Sequence, residues 1–160
     1  MKLSALGDKM LDRNSKNDSM VADAIADAWP HLNDLYRTAY HMLQESAKAS
    51  SAVETTYLRA WRVFGNYQPD TNSRTGLFQI LVDVVRHERR KSVRWQDHHS
   101  LSAMNEVPVD LMDVLLLVDG QGFSYREAGE ILGLSTDVVA RRVVLGRNHL
   151  HSFLAERKDI

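Results

Sequence analysis

Ser124-Tyr125-Arg126-Glu127-Ala128-Gly129-Glu130-Ile131-Leu132-Gly133-Leu134-Ser135-Thr136-Asp137 is the stretch from which the fold is read. Its first four residues have the form of a capping box, in which a serine hydroxyl and a glutamate carboxylate three residues later satisfy each other's end-of-helix amides. The short helix that follows carries Ala128, Ile131 and Leu132, and it ends at Gly133, a residue tolerant of the left-handed conformation that stops helices. After Leu134-Ser135 the apolar positions Val139, Val143, Leu150 and Leu154 predict a long helix with one face turned inward. Two helices across a tight glycine turn form a helix-turn-helix.

Working outward from this motif, Asp110 is expected to cap a helix bearing Leu111, Val114, Leu115 and Val118, closed by Gly120-Gln121-Gly122. Earlier, Leu32, Leu35, Tyr36, Ala39, Tyr40 and Leu43 repeat at helical spacing, and a shorter helix with Val21, Ile25 and Ala28 precedes them, the two separated by Pro30. The period returns at Val53, Tyr57, Ala60, Trp61 and Phe64, before Gly65-Asn66. It returns again at Leu77, Phe78, Leu81, Val84 and Val85, in a helix from about residue 74 to 91 with Asn72 or Ser73 as its N-cap. Neither strand-like alternation nor an internal repeat is present, so the fold class is all-α. Ser92–Val107 loses the periodicity and stops at Pro108. The expected organisation is therefore a mobile tail over 1–20, a helical module over 21–95, a linker over 96–107 and the helix-turn-helix module over 108–160.

The chain has 160 residues, 44% of them hydrophobic, enough for one domain or two small ones. Its net charge of −1 conceals an asymmetry: residues 1–95 hold 14 Lys/Arg against 11 Asp/Glu, and residues 96–160 hold 6 against 10. Any contact with nucleic acid must therefore use local basic patches. No cysteine is present, which excludes disulfides, thiolate metal sites and thiol nucleophiles and fits a reducing compartment. With no apolar run long enough to span a bilayer and a polar start, the chain reads as cytoplasmic.

Two clusters point to nucleic acid. Arg86, Arg89, Arg90, Lys91 and Arg94 gather at the end of an amphipathic helix and are followed directly by Trp95. Cations neutralise phosphates, and an exposed ring stacks on an unpaired base for roughly 1–3 kcal/mol. The plain alternative is that these cations complement the negative end of the helix dipole in solvent. In the helix-turn-helix, Ser135, Thr136, Asp137, Ala140 and Arg141 lie near the start of the second helix, where side chains reach major-groove base edges, and Arg141, Arg142 and Arg147 suit phosphates or guanine edges. The alternative there is a helical pair used for packing or protein contact. No glycine-rich phosphate loop or carboxylate constellation suggests catalysis. His98-His99 and the pair His149 and His151 lack companion ligands and read as surface polar residues, and no cofactor is called for. Trp29, Trp61 and Met42 adjoin apolar stripes and read as core.

Several segments resemble region 2 of the extracytoplasmic-function sigma factors of bacterial RNA polymerase: Leu35-Tyr36-Arg37-Thr38-Ala39-Tyr40, Tyr57-Leu58-Arg59-Ala60-Trp61, Asn72 through Leu77-Phe78-Gln79-Ile80, and the basic run after Val85. Val107-Pro108, Asp113-Val114-Leu115-Leu116-Leu117, Gly122 through Ala128, and Ile131-Leu132-Gly133-Leu134 resemble region 4 of the same family. The order of both sets, over about residues 30–155, makes the combination specific. The resemblance implies a protein without catalytic chemistry that binds core RNA polymerase and promoter DNA and is held by an anti-sigma factor. Asn72, Asp83, His87, Arg90, Lys91, Arg94 and Trp95 would meet the minus-ten element, and Ser135, Thr136, Ala140, Arg141, Arg142 and Arg147 the upstream element. Polymerase contacts would fall on Lys48, Ser50, Ser51, Glu54 and Arg59.

The chain departs from the family pattern at Lys48-Ala49-Ser50-Ser51, where an acidic patch is usual, at Glu54-Thr55, at Ala140 in place of a lysine, and at the apolar Val144-Leu145-Gly146. Losing carboxylates and gaining a cation weakens attraction to a basic docking surface. Those departures motivate an alternative, a sigma-like mimic that binds an anti-sigma factor or another regulator without promoter activity.

Overall fold

The computed structural model of the chain describes residues 29–64, 73–91 and 107–156, and over these the regular elements are all helices, with no strand. A 3-10 turn at Trp29–His31 leads into α1 (Leu32–Leu43), followed by α2 (Ser46–Phe64) and α3 (Ser73–Lys91). The second half comprises α4 (Val109–Leu115), which continues into a π-helical turn at Leu116–Gly120, then α5 (Tyr125–Leu132) and α6 (Thr136–Glu156). The all-α class and the two helical modules are those read from the sequence. The expected helix around Val21–Ala28, the stop at Gly65-Asn66 and most of the linker lie outside the described residues, as do the side chains of Trp29 and Trp61.

In the first module the periodic apolar stripes meet as three packed helices. Leu35, Ala39, Met42 and Leu43 of α1 are buried, and the chain reverses at Gln44, whose φ of 55° is left-handed and whose amide donates to the Tyr40 carbonyl at 2.7 Å. Small residues on α2, Ala49, Ala52 and Ala60, permit close approach, and buried Thr56 returns its hydroxyl to the Ala52 carbonyl at 2.7 Å. From α3, the buried Leu77, Phe78, Leu81, Val82, Val84 and Val85 complete the core.

The helix-turn-helix forms as its local chemistry requires. The Glu127 amide donates to Ser124 Oγ at 3.2 Å, and the Ser124 amide donates to Glu127 Oε2 at 2.9 Å. Gly133 adopts φ 69°, so the C-terminus of α5 closes with the Leu134 amide donating to the Gly129 carbonyl at 2.9 Å. A Cβ on Gly129 would stand 2.6 Å from the Leu134 carbonyl oxygen, so only glycine lets the turn fold this closely onto α5. The serine interactions hold the Glu127 carboxyl below its usual range. The cap's electrostatic contribution is therefore present above the unfolded carboxyl pKa and lost as pH falls through the folded one. Ser124→Ala is expected to cost about 1 kcal/mol at neutral pH. Urea midpoints measured from neutral to acid pH should show the loss shrinking as Glu127 protonates.

Two sequence expectations are corrected here. Asp110 does not cap α4: Pro108 precedes the helix in an extended conformation and its carbonyl accepts from the Leu111 and Met112 amides, both at 2.9 Å, leaving Asp110 in the first turn. Proline's fixed φ sets the entry, so no side-chain cap forms. Leu154 shares a face with Val143 but is not buried; it is 55% exposed, near the end of the 21-residue α6.

One hydrophobic core runs through both modules. Phe123, from the segment between the π-helical turn and α5, meets Phe78 of α3 edge to face, with centroids 4.9 Å apart at 73°. Both rings are essentially buried, at 3% and 0% exposure. α3 lies against α5 along the same seam.

Candidate nucleic-acid interface

The basic cluster of α3 divides between two faces of one helix. Asp83, His87, Arg90 and Lys91 fall at i, i+4, i+7 and i+8 and are exposed, so the helix brings these four expected contacts together. Lys91 pairs with Glu88 at 3.3 Å, while Arg90 has no ion pair among the described residues. Asn72, Arg94 and Trp95, expected on the same side, lie outside the described residues, as do His98 and His99.

Arg86 and Arg89, one and two positions round the helix, turn to the second module. Arg86 Nη2 donates to the Leu132 carbonyl at 3.0 Å, at the last turn of α5. Arg89 donates from Nε and Nη2 to the Met42 carbonyl at 3.2 and 2.8 Å, and from Nη1 and Nη2 to Asp113 Oδ2 and Oδ1 at 2.8 and 3.0 Å. Both arginines thus meet carbonyls at helix C-termini, which lack intrahelical donors and carry the negative end of the dipole. The planar fork lets one guanidinium serve a carbonyl and a carboxylate together, which an ammonium point charge does not.

On α6, the second helix of the helix-turn-helix, Ser135, Thr136, Asp137 and Arg141 are exposed around its N-terminus, and Ala140 is half-buried among them. Arg142 is half-buried and pairs with Asp110 at 3.5 Å, within its own module. Arg147 is held by Asp119 through Nε and Nη2 at 3.0 and 2.6 Å, which raises its pKa further. Of the three arginines suggested for this helix, Arg141 alone is exposed without an ion pair among the described residues. Lys48 of α2 pairs with Glu45, just before the helix, at 2.8 Å, and Ser50, Ser51, Glu54 and Arg59 are exposed along α2.

Sequence reasoning missed Arg74, Asp113, Gln121 and Phe123 as a group. Arg74 Nη2 donates to the Gln121 carbonyl at 2.7 Å, and its guanidinium lies 4.1 Å from the Phe123 ring centroid. Gln121 Nε2 in turn donates to Thr38 Oγ1 of α1 at 3.0 Å. A signal was available at Asp113. A lone carboxylate inside Leu111-Met112-Asp113-Val114-Leu115 is destined for burial, and a buried carboxylate requires a cationic partner. Its partner stands 24 residues earlier in the chain, and nothing local identifies it.

His149 and His151 are exposed on α6, and the described residues contain no group of three or more His, Cys, Asp or Glu able to hold a metal. No helix among the described residues is long and apolar enough to cross a membrane.

The family described as Sigma-70, region 4 matches residues 101–150, the segment that spans α4, α5 and most of α6. The chain is 28% identical to the ECF RNA polymerase sigma factor EcfG of Rhodopseudomonas palustris, across 86% of both chains. It is 27% identical to the ECF RNA polymerase sigma factor SigE of Mycolicibacterium smegmatis across 81% of its own length, and it spans 60% of that relative. Among solved structures, the sigma factor RpoE of Bartonella quintana, in complex with the anti-sigma factor NepR, has the same fold, with a TM-score of 0.74 at 24% identity. That alignment covers 83% of this chain and 97% of RpoE.

Proposed function

We propose that this chain is an extracytoplasmic-function sigma factor of the sigma-70 family: it binds bacterial core RNA polymerase and directs it to promoters, with no catalytic chemistry of its own. The observation that carries this reading is the likeness to EcfG across both modules in one order, beyond the helix-turn-helix alone. In this reading residues 21–95 form the region 2-like module, 96–107 the linker and 108–160 the region 4-like module, and the chain works in the cytoplasm.

The exposed Asp83, His87, Arg90 and Lys91, together with Asn72, Arg94 and Trp95, meet the opened minus-ten region. There, binding of unpaired bases offsets part of the cost of melting the duplex. Ser135, Thr136, Ala140 and Arg141 lie where a recognition helix reads the upstream element, with Arg142 and Arg147 beside them once released from Asp110 and Asp119. An anti-sigma factor is the expected regulator, by analogy with the complex formed by RpoE.

The start of α2 supports a second reading. Its Lys48 is paired to Glu45, and Ser50 and Ser51 are exposed and neutral, so only Glu45 and Glu54 remain there as carboxylates to attract a basic docking surface. A sigma-like mimic that occupies an anti-sigma factor would show this loss. Co-purification with bacterial core RNA polymerase decides between them. Saturable binding by the natural chain is expected from a sigma factor. No binding by the natural chain, with binding gained by a Lys48→Asp, Ser50→Glu, Ser51→Asp variant, would overturn that reading in favour of the mimic.

A further inference from the structure

We infer that the cleft between the two modules is a binding site for a small polyanion of the phosphate class, diphosphate, held between Arg86 of the first module and Arg142 of the second. The cleft has a volume of about 240 Å³ and is lined by side chains of α3, α4, α5 and α6. That is several times the roughly 30 Å³ share of one water molecule, and it falls below the roughly 300 Å³ at which pockets for drug-sized ligands begin, so it suits a compact group. Three of the lining residues are arginines, against two aspartates. The inference does not rest on the promoter reading.

The hydrogen-bond donors decide which arginines are available. Arg89 is committed: Nε, Nη1 and Nη2 all serve Asp113 or the Met42 carbonyl, and the charge of Asp113 is balanced by the same guanidinium. Arg86 spends only Nη2, on the Leu132 carbonyl, and that bond holds its guanidinium at the cleft wall with Nε and Nη1 unused among the described residues. Arg142 makes no hydrogen bond among the described residues. Its contact with Asp110 is 3.5 Å, beyond the roughly 2.7–3.2 Å of an N–H···O bond. The Arg142 side chain is nonetheless only 30% exposed, so it is largely withdrawn from bulk water without protein acceptors in exchange, and a cation so placed calls for an acceptor-rich anion. Asp110, 65% exposed, is too solvated to supply one. A diphosphate offers one phosphoryl group to each guanidinium, while Arg89 stays on Asp113. The Leu132 carbonyl, at the negative end of α5, is already covered by Arg86, and Val109 brings no competing acceptor side chain.

Calorimetric titration of the full chain with sodium diphosphate, in a phosphate-free buffer at constant ionic strength, tests the site. Saturable binding at one ligand per chain is expected, tighter than that of orthophosphate, which cannot give each guanidinium a phosphoryl group of its own. Arg142→Gln and Arg86→Gln should each weaken it about tenfold or more, the share of a hydrogen bond to a charged group. Arg126→Gln removes the same charge from a side chain that is 81% exposed on α5 and does not line the cleft, and it should leave the affinity within about twofold. Asp110→Asn frees Arg142 from its nearest carboxylate and should tighten binding by up to about fivefold. Diphosphate should also raise the thermal midpoint of the natural chain more than that of Arg142→Gln. Circular dichroism and the ligand-free midpoint separate loss of the site from loss of the fold, and Arg142→Gln, which breaks only the loose pair with Asp110, stays folded. No saturable binding by the natural chain, or an affinity untouched by Arg142→Gln, would overturn the site. Equal weakening by Arg126→Gln and Arg142→Gln would overturn it too, leaving only the general pull of surface cations on an anion.

Discussion

Phe123→Ala should cost about 3–5 kcal/mol of stability, the range for removing a large aromatic side chain from a packed core. The ring is 3% exposed, stands edge to face with Phe78 at 4.9 Å, and carries the Arg74 guanidinium on its face at 4.1 Å. Alanine leaves a void bounded by Phe78, which belongs to the other module, so the walls can collapse only by moving one module against the other. The expected result in urea is a lower midpoint together with a transition that broadens or divides as the halves cease to unfold as one unit. Leu154→Ala, also apolar but 55% exposed, should change stability by less than about 0.5 kcal/mol and leave the transition single. A Phe123→Ala variant as stable as the natural chain would show that the seam does not couple the modules.

The second large effect is expected at Arg89. Arg89→Ala leaves Asp113 buried without its cation and the Met42 carbonyl without its donor, at a cost of about 3 kcal/mol, the low end for breaking a buried pair. The low end applies because 26% of the arginine side chain is already in water. The neighbouring Arg90→Ala removes the same charge from an exposed position and should stay within about 0.5 kcal/mol. Replacing both partners, Arg89→Met with Asp113→Leu, is expected to regain most of the loss, because the penalty lies in the orphaned charge rather than in the absence of the bridge. Chemical denaturation of the two singles and the double forms the required cycle. A double variant no more stable than Arg89→Ala would place the loss in packing around the guanidinium stem instead.

Much of the molecule was legible before its coordinates because the relevant signals are local. The capping box at Ser124 and Glu127, the left-handed stop at Gly133 and the apolar stripe of α3 each depend on residues within a few positions of one another, and each formed where the pattern placed it. Asp110 misled because an acid near a helix start satisfies a capping pattern equally well at the cap or inside the first turn, and Pro108 decided between them. Leu154 misled because periodicity says which residues share a face but not how far a neighbouring helix extends to cover it. Within the candidate interface, the register of Asp83, His87, Arg90 and Lys91 followed from the helical period.

The division of the basic cluster did not follow from it. Arg86, Arg89, Arg90 and Lys91 are chemically alike and adjacent, and which of them faces solvent depends on a module that begins beyond residue 100. The sequence by itself determined the helices over the described residues, the cap and stop of α5, and the order of the two modules, since these rest on propensity, spacing and end-of-helix hydrogen bonding over short stretches. Only the tertiary structure decided that the modules share a core and that Arg89 belongs to Asp113. A buried charge draws its partner from wherever the chain returns in space, and no local pattern records that choice.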